Sequence, residues 1–497
     1  MTSNVIVSRL TPLKQSADRF WRVFVAQRHS KRPNLHQLAR RRGLPDFVRQ
    51  SSVAMRYLNL LEPLDWNRFP ERDLETDWGT PTVPFASFAA ACLVKLDQQL
   101  TYMSHLRQYL VDHPALTWIL GFPLVFSSHY PWGFDVDASL PTARHLTRML
   151  RTTPNAVSQY LLDETVHLLR AELETEVDDF GHAVSLDTKH ILAWVQENNP
   201  KQYVKDRYDK TKQPTGDPDC RLGCKRRRNQ RASSEPPPTP KANPVPPKIS
   251  VGEFYWGYAS GVIATKVPDW GEFVLAELTL PFNRPDVAYF YPLMADAERR
   301  LGFRSKYGAY DAAFDSFYVY EHFHQQDQPL EAGFAAVPLS KRSKPRQFDA
   351  QGLPLCDAGL AMPLKYTFVC KTTLVEHERG RYACPLVFPE QTGETCPIDH
   401  KKWPKGCVTT LPTSVGARIR HQLDRESEIY KHIYKQRTAT ERINAQAVAL
   451  GIERPKLRNQ QAITNQNTLI YVLINLRALH RVRREKKRRD ETKSSTQ

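Results

Sequence analysis

The order of strands and helices from residue 182 onward most narrows what this chain can fold into. Residues 182–195 (HAVSLDTKHILAWV) alternate and are rich in β-branched and aromatic residues, which predicts a strand. Residues 253–267 and 272–280 predict two further strands, and the PDWG between them predicts a hairpin. A helix over 286–302 and the strand-to-helix segment YGAYDAAFDSFYVYEHFH complete the order β–β–β–α–β–α. An antiparallel start that continues into βα units predicts an α+β fold with a mixed sheet, not a doubly wound fold.

The chain before this sheet has helical periodicity. Apolar residues over 1–175 recur at steps of three and four, which predicts an all-helical N-terminal region. Arg144, Arg148 and Arg151 line up on one of these helices. A helical DNA-binding module and a purely structural bundle are both compatible with this pattern, and DNA binding is the working expectation.

Composition divides the rest of the chain into further segments. The first part of the core, 176–330, contains a Pro-, Lys- and Arg-rich stretch over 209–249, which predicts a disordered basic loop. Short strands with Pro and Gly turns predict a β-rich insertion over 331–411. Helical periodicity over 412–480 predicts the second part of the core, and 481–497 are expected to form a disordered basic tail.

The net charge indicates the kind of partner. The chain has 70 Lys and Arg against 53 Asp and Glu, a formal charge of +17. This excess favours a polyanion such as nucleic acid, although a cationic protein without a special partner is the alternative. No apolar run is long enough to span a bilayer, and the N-terminus lacks the layout of a signal peptide. The expected location is therefore the cytoplasm, in association with the nucleoid and away from the membrane.

Three carboxylates interrupt segments whose neighbours have the pattern of a buried core. Asp187 lies in SLDTKH of the first strand, Asp311 in GAYDAAFDS, and Glu441 in the helical stretch YKQRTATERINAQ. Converging carboxylates repel one another unless a cation neutralises them, and hard oxygen ligands suit Mg²⁺ or Mn²⁺. Two such ions activate water and stabilise a leaving oxygen, so phosphodiester hydrolysis in DNA is the favoured chemistry. For each residue alone, a cap, turn or surface role is the alternative.

The last of these segments carries a motif. Tyr434, Arg437 and Glu441 are spaced i, i+3, i+7, which places them on one face of a helix. With SLDTKH after a helical region and YDAAFDS after three strands and a helix, this Tyr-x-x-Arg-x-x-x-Glu spacing resembles the DDE transposases of bacterial insertion sequences. The resemblance is to the branch with a β-rich insertion before the final carboxylate, and the element order is similar to that family's ribonuclease H-like core. It covers roughly 85–480.

The resemblance implies a role for each matching residue. It makes Asp187, Asp311 and Glu441 the catalytic ligands of two Mg²⁺ or Mn²⁺ ions, and Tyr434 and Arg437 contacts to DNA at the element ends. The implied reaction is cleavage at those ends followed by strand transfer into target DNA, in a homodimeric synaptic complex. A related metal-dependent nuclease without strand transfer is one alternative, and an inactive transposase-derived DNA-binding protein is the other.

Two features leave parts of this assignment open. Asp315, four residues after Asp311, is the rival for the second carboxylate; Asp311 is preferred because it lies nearer the end of the strand. Some members of the family carry a Lys seven residues after the Glu, where this chain has Val448, so Lys456 or Arg458 is considered as the substitute.

The remaining candidate sites are basic and cysteine-containing segments. The basic run in the loop is expected to make non-specific phosphate contacts, with a solvated loop as the alternative; its residues are Lys225, Arg226, Arg227 and Arg228. Cys384, Cys396, His400 and Cys407 have the residue types of a zinc site but no standard zinc-finger spacing. Ordinary buried thiols are the preferred interpretation of this cluster.

Overall fold

The computed structural model describes residues 44–74, 82–224, 254–324, 333–340, 345–371, 374–398 and 406–494. Within these ranges no helix combines the length and the apolar content needed to cross a bilayer. The predicted phosphate contacts Lys225, Arg226, Arg227 and Arg228, and most of the loop that contains them, lie outside the described residues.

Helices make up most of the described chain before residue 175. In chain order, α1 to α8 span Asp46–Arg49, Ser52–Leu61, Phe85–Asp97, Met103–Asp112, Pro114–Leu120, Val136–Ser139, Ala143–Thr152 and Asn155–Leu173. The prediction of an all-helical region is wrong at one place, where β1 (Val125–Phe126) pairs antiparallel with β2 (Phe134–Asp135). Gly133, at φ 84°, closes the turn between them: its carbonyl accepts from the Ser127 amide at 3.0 Å.

The central sheet is mixed. Its main strands are β3 (Ala183–Leu192), β5 (Phe254–Val267), β6 (Gly271–Pro281), β7 (Tyr307–Ala309) and β8 (Phe334–Ala336). They follow the order β6–β5–β3–β7–β8, in which β3 pairs antiparallel with β5 and parallel with β7. Helices α9 (Phe290–Leu301) and α10 (Phe317–Phe323) connect the parallel strands. The prediction of an α+β fold with a mixed sheet and flanking helices is therefore confirmed.

Part of the predicted disordered loop is ordered. Strand β4 (Arg221–Cys224) pairs antiparallel with the start of β5. The turn before β4 is anchored by Asp217, whose carboxylate accepts from the Tyr258 hydroxyl at 2.7 Å, and by the fully buried Cys220. Residues 221–224 thus form a strand on the central sheet, and Cys220 packs in the hydrophobic core, so the predicted disorder is wrong for this end of the loop.

The β-rich insertion begins later than predicted. Strand β8 lies inside the predicted insertion but pairs parallel with β7, and its Ala335 and Ala336 are fully buried in the central sheet. The insertion itself is a three-stranded antiparallel sheet in the order β11–β10–β9. Its strands β9 to β11 span Leu364–Cys370, His377–Ala383 and Val408–Pro412.

Four helices end the described chain. In chain order, α11 to α14 span Val415–Gln422, Glu428–Tyr434, Thr438–Ala449 and Gln460–Ser494. Helix α14 contains most of the segment predicted to be a disordered tail, so that prediction is wrong up to residue 494. Arg483 of α14 pairs with Glu172 of α8 at 2.9 Å, and Arg489 lies over the ring of Trp270 at 4.3 Å. These contacts with packed neighbours hold the basic segment in a helix.

Helix α13 is the element that carries Glu441 to the sheet. Its buried residues Ala439, Ile443 and Ala447 belong to the same hydrophobic cluster as Ile191 of β3 and Val262 of β5. Apolar residues at steps of four therefore dock this helix on the strand that bears Asp187.

Candidate active site

Asp187 lies on β3, and Asp311 lies just beyond the end of the neighbouring parallel strand β7. The register between β3 and β7 pairs Ser185 with Ala309, and each aspartate lies two residues beyond that pair. Neighbouring strands lie about 4.8 Å apart, so this register brings the two carboxyl groups to one place at the end of the ladder. Asp311 then caps a short turn, because its carboxylate accepts from the Ala313 amide at 2.8 Å.

A third aspartate, which the sequence analysis missed, joins them. Asp286 lies in the turn before α9, and its carboxylate accepts a hydrogen bond from the Thr188 hydroxyl at 2.8 Å. Thr188 is the residue after Asp187, and its amide donates to the Asp187 carboxylate at 2.9 Å. Asp286 follows Arg284 and Pro285 in a loop, where a turn or cap is the default interpretation, so no local signal distinguished it.

The pKa values of the three aspartates shift in the same direction. The surrounding protein excludes water from Asp187 and raises its pKa to about 6, and the charges of Asp311 and Asp286 add to that rise. Burial also raises the pKa of Asp286, with Asp311 adding to it, and burial raises the pKa of Asp311. All three remain partly accessible to solvent. They form a negatively charged cluster whose ionised state is unfavourable without a cation.

Glu441 lies beside the cluster and is held by an ion pair. Its Oε1 accepts from Arg437 at 2.6 Å, and its side chain is 47% exposed. Arg437 in turn lies over the ring of Tyr434 at 5.9 Å. Burial lowers the pKa of Arg437, but the charge of Glu441 raises it, and the charges of Asp187 and Asp311 add to that rise. The guanidinium therefore lies within electrostatic reach of both aspartates. The structure thus brings the predicted residues to one surface, with Arg437 bound to the predicted third carboxylate.

Asn444 provides the direct link between α13 and Asp187. Its amide nitrogen donates to the Asp187 Oδ2 at 3.1 Å, while its amide oxygen is buried without a hydrogen-bond partner among the described residues. Asn444 lies three residues after Glu441 on the same helix, so the spacing offered a signal that the sequence analysis did not use.

Asp315, the rival of Asp311, has a different environment. Two nitrogens of Arg420 donate to its carboxylate, both at 2.6 Å, and the Tyr320 hydroxyl and Ser340 amide donate at 2.9 and 2.8 Å. Burial alone would raise its pKa, but the bonds from Arg420 and Ser340 outweigh burial and lower it. Asp315 is also separated from Asp311 by a three-residue turn, not placed on the same helix face. Its oxygens are occupied by structural partners.

The fit of these residues to a divalent cation rests on two observations. Two aspartates converge with mutual repulsion, and the unpartnered oxygen of Asn444 lies next to one of them. Carboxylate and amide oxygens are the ligands that Mg²⁺ and Mn²⁺ prefer. Within the described ranges, no group of three or more His, Cys, Asp or Glu side chains is arranged to hold a metal ion as it stands. The donor set therefore fits a cation at Asp187 and Asp311, and Glu441 is paired with Arg437.

The residues considered for the missing lysine lie elsewhere. Val448 is exposed on α13, whereas Lys456 and Arg458 follow that helix and lie over the ring of Trp194, at 5.7 and 5.1 Å. Trp194 comes two residues after β3 ends. These cations belong to a separate surface, which is described below.

Two of the four candidate zinc ligands face each other in the insertion. Ala383 pairs with Val408 at the end of the β10–β11 ladder, and Cys384 and Cys407 occupy the next pair of positions. All the cysteines of the described chain are free thiols, and burial raises the pKa of Cys407 to about 12, with Cys384 adding to it. His400 lies outside the described residues. The interpretation as ordinary buried thiols stays a prediction.

Comparison with known protein families, with curated proteins and with solved structures finds no match to this chain.

Proposed function

We propose that this protein is a DNA transposase that cleaves DNA at the ends of a mobile element and joins those ends to target DNA. The observation that carries the proposal is that Asp187 on β3 and Asp311 after β7 each lie two residues beyond the last pair of one parallel ladder, and that the helix bearing Glu441 packs on β3. Three segments far apart in the sequence supply these residues, and the insertion separates the segment of Glu441 from the other two.

The sheet supports the same family assignment. Its order β6–β5–β3–β7–β8 has an antiparallel start, β3 to β6, followed by parallel additions on the other edge of β3. A ribonuclease H-like core, which the resemblance implies, has this order of strand directions. Within the proposal, the helices before β3 and the insertion after β8 are additions to that core.

The proposed reaction divides its tasks among a few residues. Asp187 and Asp311 would hold the two Mg²⁺ or Mn²⁺ ions, which would supply water activation and stabilisation of the leaving oxygen. Asn444 orients the carboxylate of Asp187 through its 3.1 Å hydrogen bond. Thr188 orients that of Asp286, whose charge adds to the attraction for cations.

Arg437 has two possible anionic partners in this scheme. In the protein alone it binds Glu441 at 2.6 Å, and its planar guanidinium is equally suited to bidentate binding of a phosphate. When a DNA phosphate takes Arg437, Glu441 is released toward the aspartates. DNA binding and completion of the carboxylate set are therefore coupled, and Tyr434 keeps the guanidinium in place beneath the phosphate.

The same ion pair favours a second candidate function. A protein that keeps Glu441 on Arg437 when DNA is bound would bind DNA without cleaving it, as an inactive derivative of a transposase would. The two candidates share the basic surface and differ in whether the carboxylate set closes. A nuclease without strand transfer differs from the first candidate only in the fate of the cut ends.

The test is a cleavage assay on DNA that carries the inverted repeats bracketing the coding region. With Mg²⁺ the wild-type protein should nick these ends and join them to a second plasmid, and its crosslinked complex should contain two protomers. Asp187→Ala, Asp311→Ala and Glu441→Ala should each abolish nicking, whereas Asp315→Asn should retain it. Full cleavage by the Glu441→Ala protein would sink the assignment of that residue, and nicking without joining would leave the nuclease.

A further inference from the structure

A basic cleft of about 360 Å³ lies between the N-terminal helices and the segment that follows α13. It is bordered by α3, α4 and α7 on one side and by the end of β3 on the other. The residues that define it are Lys95, Arg144, Arg151, Trp194, Lys456 and Arg458. Among the described residues no Asp or Glu lines this cleft, so its positive charge is not balanced by its own lining.

Lys95 is the most informative of these residues. It lies on α3 with only 6% of its surface exposed, and its ammonium has no hydrogen-bond or ion-pair partner among the described residues. Buried lysines without a partner are rare because desolvating an ammonium is costly. The ammonium reaches the open cleft, where an anion can pair with it.

The other cations of the cleft are also available. Arg144 and Arg151 extend from α7, and neither they nor Lys456 form an ion pair with a described carboxylate. Arg148 of the same helix differs, since it contacts the His145 ring nitrogen at 3.0 Å and does not line the cleft. Arg148 shares a side of α7 with Arg144 and Arg151 but does not line the cleft, so it is a control of equal charge on the same helix.

Trp194 holds the cations of the second side. Lys456 and Arg458 both lie over its ring, and Arg458 also donates to its backbone carbonyl at 3.3 Å. Trp194 and these two residues also line a neighbouring cleft of about 530 Å³ that Arg454 borders. The exposed indole is thus a positioning residue, because cation–π contacts on its face keep two flexible side chains at the mouth of both clefts.

We propose that the Lys95 cleft binds a phosphodiester of the DNA backbone, so that the N-terminal helices and the sheet hold the same DNA. The inference rests on the proposed function for the identity of the anion, since free phosphate has the same chemistry. Lys95 neutralises the phosphate from below, while Arg144, Arg151 and Lys456 donate from the rim. Contacts of this kind are sequence-independent and set the register of DNA against the protein.

The test measures binding of the full-length protein to a short labelled duplex of random sequence, without divalent cation, over a series of chloride concentrations. Lys95→Met and Arg151→Gln should each weaken binding about tenfold, the loss of one charge-assisted hydrogen bond. Each should also lower the slope of log affinity against log salt by about one, as expected for one lost phosphate contact. Arg148→Gln, the matched control on α7, should leave the slope unchanged.

Folding and the source of the phosphate are controlled separately. The thermal midpoint of Lys95→Met is measured beside that of the wild type, and weaker binding by a variant that melts at or above the wild-type midpoint does not reflect unfolding. Replacing chloride by inorganic phosphate at equal ionic strength should compete with the duplex for wild type but not for Lys95→Met. Inorganic phosphate that stabilises the wild type while the cleft variants bind the duplex normally would overturn the DNA assignment.

The remaining outcomes are equally decisive. Equal losses for Arg148→Gln and Arg151→Gln would show diffuse attraction by surface charge and overturn the cleft as a site. Binding that depends on Lys95 in a protein that never nicks DNA would uphold the cleft and reject the transposase. If Lys95→Met and Arg151→Gln nick DNA and bind it as the wild type does, the transposase would be upheld and the cleft would be rejected as a DNA site.

Discussion

Two aspartates at the ends of one short turn have opposite environments. Asp311 opens the turn next to two other carboxylates, and burial raises its pKa. Asp315 closes the same turn, where two bonds from Arg420 and one from Ser340 overcome burial and lower its pKa. Burial is therefore common to both, and the partner decides which carboxylate is structural and which is available for a ligand.

The cations repeat this contrast. Arg300 is fully buried, but it donates to Asp163 at 2.5 Å, to the Leu275 carbonyl at 2.9 Å and to Gln159 at 2.6 Å. Lys95 is nearly as buried and has none of these partners among the described residues. Charges that are paired with an opposite charge within the fold stabilise it. Asp187 and Lys95 have no ion-pair partner among the described residues, and they mark the two places where an outside ion is expected.

The largest expected effect is the difference in unfolding free energy between variants of Asp315 and Asp187. Asp315→Ala leaves Arg420 without its partner and should lower the free energy of unfolding by about 3–5 kcal/mol. Asp187→Asn should raise it, by at most about 3 kcal/mol, because the pKa of Asp187 is raised from 3.8 to about 6. Urea unfolding at neutral pH without divalent cation measures both. Destabilisation by both variants would remove the distinction between them.

A smaller effect is the pH dependence of stability caused by Glu277, a buried carboxylate that accepts hydrogen bonds within the fold. Burial raises its pKa to about 7, although Thr279 and Thr468 donate to it at 2.6 and 2.8 Å. Because the folded-state value exceeds the unfolded value of 4.5, its contribution to stability is full below pH 4.5 and is lost as the pH rises through 7. The loss should reach about 3 kcal/mol.

Glu277→Gln should abolish this part of the pH dependence, as followed by urea unfolding across the range. Mg²⁺ should stabilise the wild type and Glu277→Gln equally, and should not stabilise Asp187→Asn. A stabilising effect of Mg²⁺ that disappears with Glu277→Gln would place the cation in the wrong part of the protein.

Asp286 sharpens the comparison within the cluster. Asp286→Asn keeps the shape and the Thr188 hydrogen bond but removes one negative charge near Asp187. It should raise the Mg²⁺ concentration needed for half-maximal nicking by about 10–100-fold, the usual cost of losing a residue that supports metal ligands. Asp296→Asn, an exposed carboxylate on α9 paired with Arg299, is the matched control. Equal responses of the two variants would mean that only the general negative charge matters.

The smallest effect concerns the ion pair that connects the cluster to DNA. Arg437→Gln frees Glu441, so the affinity for Mg²⁺ without DNA should rise a few-fold. The affinity for DNA should fall, because one contact to a phosphate is lost. Thermal shift and salt-dependent anisotropy measure the two effects. Arg442→Gln is the control, because Arg442 lies on the same helix but pairs with Glu272. A loss of Mg²⁺ affinity in Arg437→Gln would exclude the proposed exchange of partners.

Local patterns accounted for the elements that form the sheet. Alternation of apolar residues predicted β3, β5 and β6, because each strand buries one or both faces against neighbours that impose a period of two. It did not predict that β8 joins this sheet or that β4 extends it. Both are short, and their pairing depends on residues far away in the chain, which no periodicity records.

Charge patterns were less reliable than hydrophobic ones. The basic run after residue 481 has the composition of a solvated tail, yet it continues α14, because Glu172 and Trp270 supply partners for its arginines. Those partners lie on other elements and cannot be inferred from the run itself. Composition indicates what a segment does when it is isolated, and packing decides whether it is isolated.

The sequence by itself determined the α+β class, which follows from hydrophobic periodicity. The choice of Asp187, Asp311 and Glu441, with Asp311 preferred to Asp315, follows from the resemblance and from spacing, and it stays a prediction. Only the tertiary structure decided that Asp286 and Asn444 join Asp187, that Arg437 binds Glu441, and that Lys95 is a buried cation in an open cleft. The physical reason is that the role of a charged side chain depends on the groups that contact it, and in this fold those groups come from distant parts of the chain.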